Sequence, residues 1–123
     1  MGVAFPSVTE ELLQEVVRRI VSVSSPNKIV LFGSWARGQA RPDSDLDLLI
    51  IEASALPRHR RARRHRMALL GLFPAKDIVV WTPDEVAQWQ HVPNAFITTI
   101  LAKGRVLYER SDRSSAWLAA QGS

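Results

Sequence analysis

The sequence predicts an α/β domain of the α+β kind, in which a small mixed β-sheet is flanked by helices. Three short apolar runs, at 29–32, 46–51 and 77–81, are typical of buried strands because branched residues fill them and turn residues bound them. Segments with helical spacing of apolar residues lie before, between and after these runs. With 123 residues, the chain has the length of a single domain.

The first element is a helix predicted to run to about Ser24. The segment Ser7 to Glu10 fits a capping box. Apolar residues then recur at helical spacing, and we expect them to pack in the core: Leu12, Leu13, Val16, Val17, Ile20 and Val21. Residues 1–6 are expected to be peripheral.

The first predicted strand ends in Gly33-Ser34, which is typical of a phosphate-binding turn. Gly33 permits a sharp exit from the strand, and Ser34 is a good N-cap for a short helical turn that Gly38 ends. Free backbone N–H groups at such a turn bind a phosphate oxygen, and Arg37 adds positive charge nearby. Trp35 directly follows Ser34. This position fits two roles equally well: bordering a bound nucleotide, or packing the turn against the sheet.

The second predicted strand opens with two carboxylates. Asp45 and Asp47 are two positions apart, so they project to the same side of an extended chain. Like charges held together raise each other's pKa, which costs stability unless a cation neutralises them. Oxygen ligands without Cys or His favour Mg²⁺ or Mn²⁺ over zinc, and Mg²⁺ completes its shell with water and substrate phosphates. A phosphate turn followed by metal carboxylates indicates a nucleoside triphosphate held through its metal.

An arginine-rich segment follows the second strand. Arginine occupies six of the nine positions from Arg58 to Arg66, and we expect a helix that becomes apolar towards Leu70. The pattern fits a solvated helix, a contact for an acidic partner protein, or an RNA-binding surface. No aromatic residue interleaves the arginines to stack bases. His59 and His65 have neither metal-pair nor dyad spacing and are predicted to lie on the surface.

The remaining elements are read from their boundary residues. Thr82-Pro83-Asp84-Glu85 is a strong helix start, and Trp89 is expected to face inward. A second helix is predicted from about Ala95 to Ala102 and is capped by Gly104. The tail at about 111–123, which includes Trp117 and Leu118, is expected to be peripheral or to form a short helix.

The central segment resembles the DNA polymerase β superfamily of nucleotidyltransferases. The shared signature is Gly-Ser, about ten residues and Asp-x-Asp, which stands here as Gly33-Ser34 followed by Asp45 and Asp47. The flanking Ala36-Arg37-Gly38 and Ser44 to Leu48 are similar to the minimal nucleotidyltransferase (MNT) branch. The resemblance covers roughly the whole core. It implies a nucleotidyltransferase fold with three core strands and a short terminal strand, to which 105–109 corresponds.

The resemblance also implies a reaction. A third metal carboxylate lies on a later strand in that family, and Asp77 stands at the matching position. Asp45, Asp47 and Asp77 would then bind two Mg²⁺ ions, with Mn²⁺ as an alternative. ATP would be the nucleotide donor at Gly33 and Ser34, and Arg37 would offset the charge of the leaving pyrophosphate. An acceptor hydroxyl would attack the α-phosphorus.

The acceptor and partner are likewise implied by resemblance. MNT proteins pair with HEPN-domain toxins, and the MNT antitoxin adenylylates a tyrosine of its HEPN partner, so we expect a complex with such a toxin. A small molecule or a tRNA end is an alternative acceptor. A binding module that masks its partner without catalysis, and retains an idle nucleotide site, is a further alternative.

Composition limits the remaining classes. The chain has 16 basic and 12 acidic residues, a net charge of +4, and no cysteine. Disulfides and thiolate metal sites are therefore excluded. No signal-like or membrane-spanning apolar run is present in the sequence, so we expect a cytoplasmic protein without a membrane role.

Overall fold

The computed structural model describes residues 8–41, 43–72 and 74–110. Its helices and strands are α1 (Glu10–Val23), β1 (Lys28–Phe32), α2 (Gly33–Ala36), β2 (Leu46–Ile51), a 3-10 turn (Arg58–Arg60), α3 (Arg63–Ala68), β3 (Lys76–Trp81), α4 (Pro83–Trp89), α5 (Phe96–Lys103) and β4 (Arg105–Glu109). All three predicted core strands and the short terminal strand are confirmed. The predictions for residues 1–6 and for the tail at 111–123 concern positions outside the described residues.

The four strands form one mixed sheet in the order β3-β2-β1-β4. β1 pairs antiparallel with both β2 and β4, whereas β2 pairs parallel with β3. The predicted mixed α/β fold is therefore confirmed. As a consequence of this pairing, the end of β1 and the starts of β2, β3 and β4 all lie at the same edge of the sheet.

Helices cover both faces of the sheet, as the apolar strand sequences predict. On one face, Leu48 and Ile50 pack with residues of α1 such as Val16 and Ile20, and with Leu69 after α3. On the other face, the alternate strand positions pack against α4 and α5: Val30, Leu49, Ile51 and Trp81 contact Ile97 and Ile100. Because side chains alternate along a strand, each strand serves both cores.

The helix boundaries follow local capping chemistry. At α1 the cap is Thr9, not Ser7: the Thr9 hydroxyl accepts a hydrogen bond from the Leu12 N–H at 3.1 Å. The capping box at α4 is confirmed, with Thr82 and Glu85 bonded reciprocally. Two inward-facing expectations are wrong, since Val21 is 38% and Trp89 47% exposed.

The arginine-rich segment differs from its prediction. It forms a 3-10 turn and a separate short helix, α3, instead of one continuous helix. His65, which was predicted to lie on the surface, is fully buried, and its Nε2 lies 3.1 Å from a carboxylate oxygen of buried Glu52. Arg61 is also buried, and its guanidinium donates to Glu85 at 2.7 Å. Two of the polar side chains therefore anchor the segment to the domain.

None of the helices in the described ranges is both long enough and apolar enough to span a membrane.

Candidate active site

Two of the three predicted metal carboxylates are adjacent across the sheet. Asp47 is the partner of Asp77 in the parallel pairing of β2 with β3, and it is the partner of Phe32 in the antiparallel pairing with β1. Directly paired residues project to the same face of a sheet. Asp47 and Asp77 therefore both project on the α5 face, at the edge where β1 ends.

Gly33 is packed directly against Asp47. Its φ of +74° lies in the left-handed region that favours glycine. A Cβ at this position would lie 2.0 Å from Asp47 Oδ2 and 2.9 Å from its Cγ. The glycine therefore serves two purposes: it turns the chain out of β1, and it leaves room for the carboxylate that the sequence predicts as a metal ligand.

Two other carboxylates, those of Asp77 and Asp45, act on the charge of Asp47. Burial raises the pKa of Asp47, and the charges of Asp77 and Asp45 raise it further, while the charge of Arg37 opposes the shift. Asp45 lies just before β2 and is exposed. The structure thus brings Asp45, Asp47, Asp77 and Arg37 into one electrostatic group, as the sequence predicts.

Hydrogen bonds hold the two strand starts in place. The Leu46 N–H donates to the Ala75 carbonyl at 2.8 Å, which joins the starts of β2 and β3. The ammonium of Lys76 donates to the carbonyls of Leu72 and Pro74. These bonds fix the backbone directly beside Asp47 and Asp77.

The turn after β1 differs in detail from its prediction. The helical turn α2 begins at Gly33, so Ser34 lies inside it and is not its N-cap; Phe32 occupies that position without a side-chain hydrogen bond. Gly38, with φ +70°, follows the end of the turn as predicted. The Trp35 indole packs against the core and donates to the Ser44 carbonyl at 2.9 Å. Of the two roles predicted for Trp35, packing against the sheet has direct support from these contacts.

The donor set at this edge suits a hard divalent cation. Within the described residues, no three His, Cys, Asp or Glu side chains form a ready-made metal-binding group. Mg²⁺ needs only one or two protein carboxylates, because water and phosphate oxygens complete its shell. Asp47 and Asp77 supply such a pair, and the raised pKa of Asp47 marks a negative charge that a cation would stabilise. The residues present therefore fit Mg²⁺ bound together with a nucleotide.

A cavity that the sequence did not predict adjoins the turn after β1. It has a volume of about 430 Å³ and is lined by two segments of the chain, 32–37 and 96–104, including Phe32, Gly33, Arg37, Phe96 and Lys103. The two phenylalanine rings meet edge to face, with centroids 5.7 Å apart. Its volume is in the range of small-ligand sites. Its lining thus combines two aromatic rings with two cations, Arg37 and Lys103, which suits a nucleotide.

The family model for polymerase β nucleotidyltransferases matches residues 14–113. That match includes every strand of the sheet and every residue of the site. The chain belongs to the polymerase β nucleotidyltransferase family. It is accordingly a nucleotidyltransferase, as the Gly-Ser and Asp-x-Asp pattern predicts.

Solved structures with the same fold include toxin–antitoxin proteins. A protein from Sulfolobus solfataricus assigned as a nucleotidyltransferase is 18% identical, with a TM-score of 0.57 over 82% of this chain and 80% of its own. A toxin–antitoxin crystallised with AMP-PNP is 16% identical, with a TM-score of 0.57 over 88% and 82%. A mutant of the MntA–HpeT toxin–antitoxin is 16% identical, with a TM-score of 0.54 over 92% and 83%. A search of curated proteins returned no significant match.

These similarities show the nucleotidyltransferase fold. At 16–18% identity they do not transfer a substrate or partner. The roles of Gly33, Ser34, Arg37 and the three aspartates in this nucleotidyltransferase stay predictions, which the geometry above makes testable.

Proposed function

We propose that this nucleotidyltransferase transfers AMP from Mg²⁺-ATP to a hydroxyl of a partner protein, and that it acts as an antitoxin in the cytoplasm. The observation that carries the proposal is the pairing of Asp47 with Asp77 beside Gly33, next to a cavity of nucleotide size. The proposed acceptor is a tyrosine of a HEPN-domain toxin, on the strength of the MNT resemblance and of toxin–antitoxin proteins that share the fold.

In this proposal the side chains of the site divide metal, phosphate and nucleoside binding among them. Asp45, Asp47 and Asp77 hold Mg²⁺, of which two ions are expected, with Mn²⁺ as a substitute. When bound, the metal stabilises the charge on the phosphoryl oxygens and favours ionisation of the acceptor hydroxyl. Arg37 and Phe96 both line the cavity. In the proposal, Arg37 faces the released pyrophosphate and Phe96 packs against the nucleoside.

The transfer step follows from these positions. The acceptor oxygen forms a bond to the α-phosphorus, and the bond between that phosphorus and the bridging oxygen to the β-phosphate breaks. Pyrophosphate leaves with the electron pair. The acceptor proton passes to the Asp77 carboxylate and then to water. Because the protein's part is positioning and charge stabilisation, loss of Asp47 should be severe.

The side of the site that an acceptor would approach is exposed, which supports a protein acceptor. Asp77 and Asp45 are exposed in the described structure, and so are Phe96 and Lys103 on the neighbouring α5. No substrate-binding element covers them within the described residues. An approaching partner could therefore present a side-chain hydroxyl directly to Asp77.

Labelled ATP tests the proposal. The protein is incubated with Mg²⁺ and a lysate of its source organism, with ³²P at the α- or the γ-phosphate, beside an Asp47→Asn control. We expect label on one discrete protein from α-labelled ATP only, and none with the variant. Sequencing the labelled peptide then identifies the modified residue. Label on RNA would replace the protein acceptor with a tRNA-type acceptor, and γ-label on the target would contradict nucleotidyl transfer.

A further inference from the structure

A second concave surface lies away from the aspartates. It is a cavity of about 800 Å³ formed by the end of α1, the loop after β2, and α3. We name it the basic groove and define it by Val23, Leu56, Arg60, Arg63, Arg66 and Met67. No acidic residue lines it in the described part of the chain. Nothing in the nucleotidyl transfer reaction uses this surface.

The groove is separated from the active site in two ways. Its helix α3 packs on the α1 face of the sheet, whereas Asp47 projects on the α5 face. Leu56 lies in the loop after β2, whereas Asp47 lies near the start of that strand, and the strand spans about 13 Å from Asp47 to Ile51 at about 3.3 Å per residue. Changes in the groove can therefore be tested without altering the catalytic residues.

Three arginines give the groove an uncompensated positive charge. Other cations of the same segment are paired: Arg61 with Glu85, and Arg64 with Glu52 at 2.7 Å. By contrast, no hydrogen bond or ion pair to a described residue involves the side chains of the exposed Arg60, Arg63 and Arg66; these three are the unpaired arginines. Their charges are available to an incoming acidic group.

The groove is also apolar, which distinguishes it from a simple cationic patch. Met67 is 57% exposed, Leu56 44% and Val23 40%, all beside the unpaired arginines. Methionine is common at adaptable binding surfaces because its side chain is flexible and polarizable. Apolar side chains bounded by charges of one sign are typical of a protein interaction site.

The support beneath the groove is rigid. His65 and Leu69 are buried on the underside of α3, and Ala62 just before it is 8% exposed. The His65 ring contacts Glu52, which also accepts from Arg64, so a buried carboxylate fixes the helix to the end of β2. The unpaired arginines and Met67 are therefore held on the outer surface, and the groove is formed before a ligand binds.

Charge identifies the class of occupant. Residues 1–7 contain no acid, and residues 111–123 contain one aspartate and one arginine, so neither of these two segments has a net negative charge from its side chains. A second copy carries a net charge of +4. RNA would match the charge, but no aromatic side chain lines the groove to stack its bases, and the apolar side chains would gain nothing from phosphates.

We propose that the basic groove docks an acidic amphipathic helix of a partner protein. Leucine-like residues of that helix pack on Leu56 and Met67, and its carboxylates pair with the unpaired arginines. This is helix-in-groove recognition with electrostatic steering. The proposal does not depend on nucleotidyl transfer, because a non-catalytic protein could use the same surface.

Defined probes test the proposal. The probes are a fluorescent synthetic helix with leucine on one face and glutamate elsewhere, the same helix with Gln for Glu, the same helix with Ser for Leu, and a single-stranded RNA of equal charge. Binding is measured by fluorescence anisotropy on the full chain, and the bound surface is mapped by methyl NMR of Met67. We expect the leucine–glutamate helix to bind most tightly and to shift the Met67 methyl.

Matched variants separate the groove from net charge. One variant neutralises the unpaired arginines (Arg60→Gln, Arg63→Gln, Arg66→Gln), and its control removes the same charge elsewhere (Arg18→Gln, Lys28→Gln, Arg105→Gln). We expect at least about tenfold weaker binding in the first and little change in the control. Met67→Gln should weaken binding of the leucine–glutamate helix and leave binding of the RNA unchanged.

Several results would overturn the proposal. Equal losses in the two triple variants would reduce the effect to net charge. Equal affinity for the helix with serine in place of leucine would remove the apolar contribution. Tighter binding of the RNA through the same arginines would make the groove a nucleic-acid site. Absence of binding by the leucine–glutamate helix to the folded protein would also refute it.

Discussion

Substituting alanine for Gly33 should abolish most transfer while leaving a folded protein. The new Cβ would lie 2.0 Å from Asp47 Oδ2, and real Cβ contacts are essentially never shorter than 3.0 Å, so the carboxylate must move by about 1 Å or more. A displacement of that size in a catalytic group costs on the order of 100-fold in rate. The left-handed φ of +74° adds a stability cost of about 1–2 kcal/mol.

Gly71→Ala is the matched control for this substitution. Gly71 has φ +86°, in the same left-handed region, but a Cβ there would meet nothing within 4 Å. It should therefore lose about 1–2 kcal/mol of unfolding free energy, which is the backbone cost that it shares with Gly33→Ala, and keep its transfer activity. The backbone cost and the displacement of Asp47 are thereby separated.

Two assays distinguish the outcomes. Urea unfolding gives the stability of both variants, and transfer of α-³²P from ATP gives their activity. Wild-type transfer by a folded Gly33→Ala would mean that the observed position of the Asp47 carboxylate is unimportant for the reaction. Equal loss of transfer in Gly71→Ala would attribute the effect to general destabilisation.

Three further substitutions have expected outcomes of their own. Asp47→Asn should raise the melting temperature in EDTA at pH 7. Because the pKa of Asp47 is raised in the folded protein, its ionised carboxylate lowers the stability of the folded state at pH values above that pKa. Transfer should fall by on the order of 10²–10³-fold. An unchanged melting temperature would contradict this. Glu52→Gln tests the buried pair. Burial alone would raise the pKa of Glu52, but hydrogen bonds from His65 and Arg64 hold that pKa at about 2, below the usual 4.5. Protonation of this carboxyl as pH falls from 4.5 to 2 should therefore cost the wild type about 3 kcal/mol of unfolding free energy. The variant should be less stable at pH 7, and urea titrations should show a smaller loss of stability in that window than in the wild type. The part that remains comes from other carboxyls with a lowered pKa, such as Glu85 at about 2. An equal slope in the two proteins would assign the whole loss to such groups. Lys103→Ala should weaken Mg²⁺-ATP binding about tenfold by calorimetry, and an unchanged Kd would locate the nucleotide outside the cavity.

The strands were predictable because burial on both faces leaves a clear sequence signal. β2 is apolar at every position except Asp47, and its predicted limits agree with the structure. The α4 start was equally clear, since Thr82 and Glu85 form the capping box through residues three apart. Both features depend on residues that are close together in the sequence, although the equally local predictions of Ser7 and Ser34 as helix caps were wrong.

Features that depend on distant residues were not predictable from spacing. His65 and Arg61 look like surface residues of a basic helix, but Glu52 and Glu85 bind them from 13 and 24 positions away. The cavity beside Gly33 depends on where α5 crosses the end of β1, so nothing in the pattern marked Phe96 or Lys103.

The candidate site was predictable only in part from the sequence. The sequence marks Asp45 and Asp47 through their shared direction and Gly33 through its place at a strand end. Asp77 entered only through the family resemblance. Its position beside Asp47 follows from parallel pairing of β2 and β3, which is a property of the sheet and not of the strand sequence.

A crystal structure with Mn²⁺ and an ATP analogue that cannot be cleaved between the α- and β-phosphates tests the site most directly. Anomalous scattering locates Mn²⁺ independently of the protein atoms. We expect the metal between the carboxylates of Asp47 and Asp77, with the phosphates beside Gly33 and Ser34. Metal and nucleotide bound elsewhere, with these aspartates free, would contradict the assignment of this sheet edge as the active site.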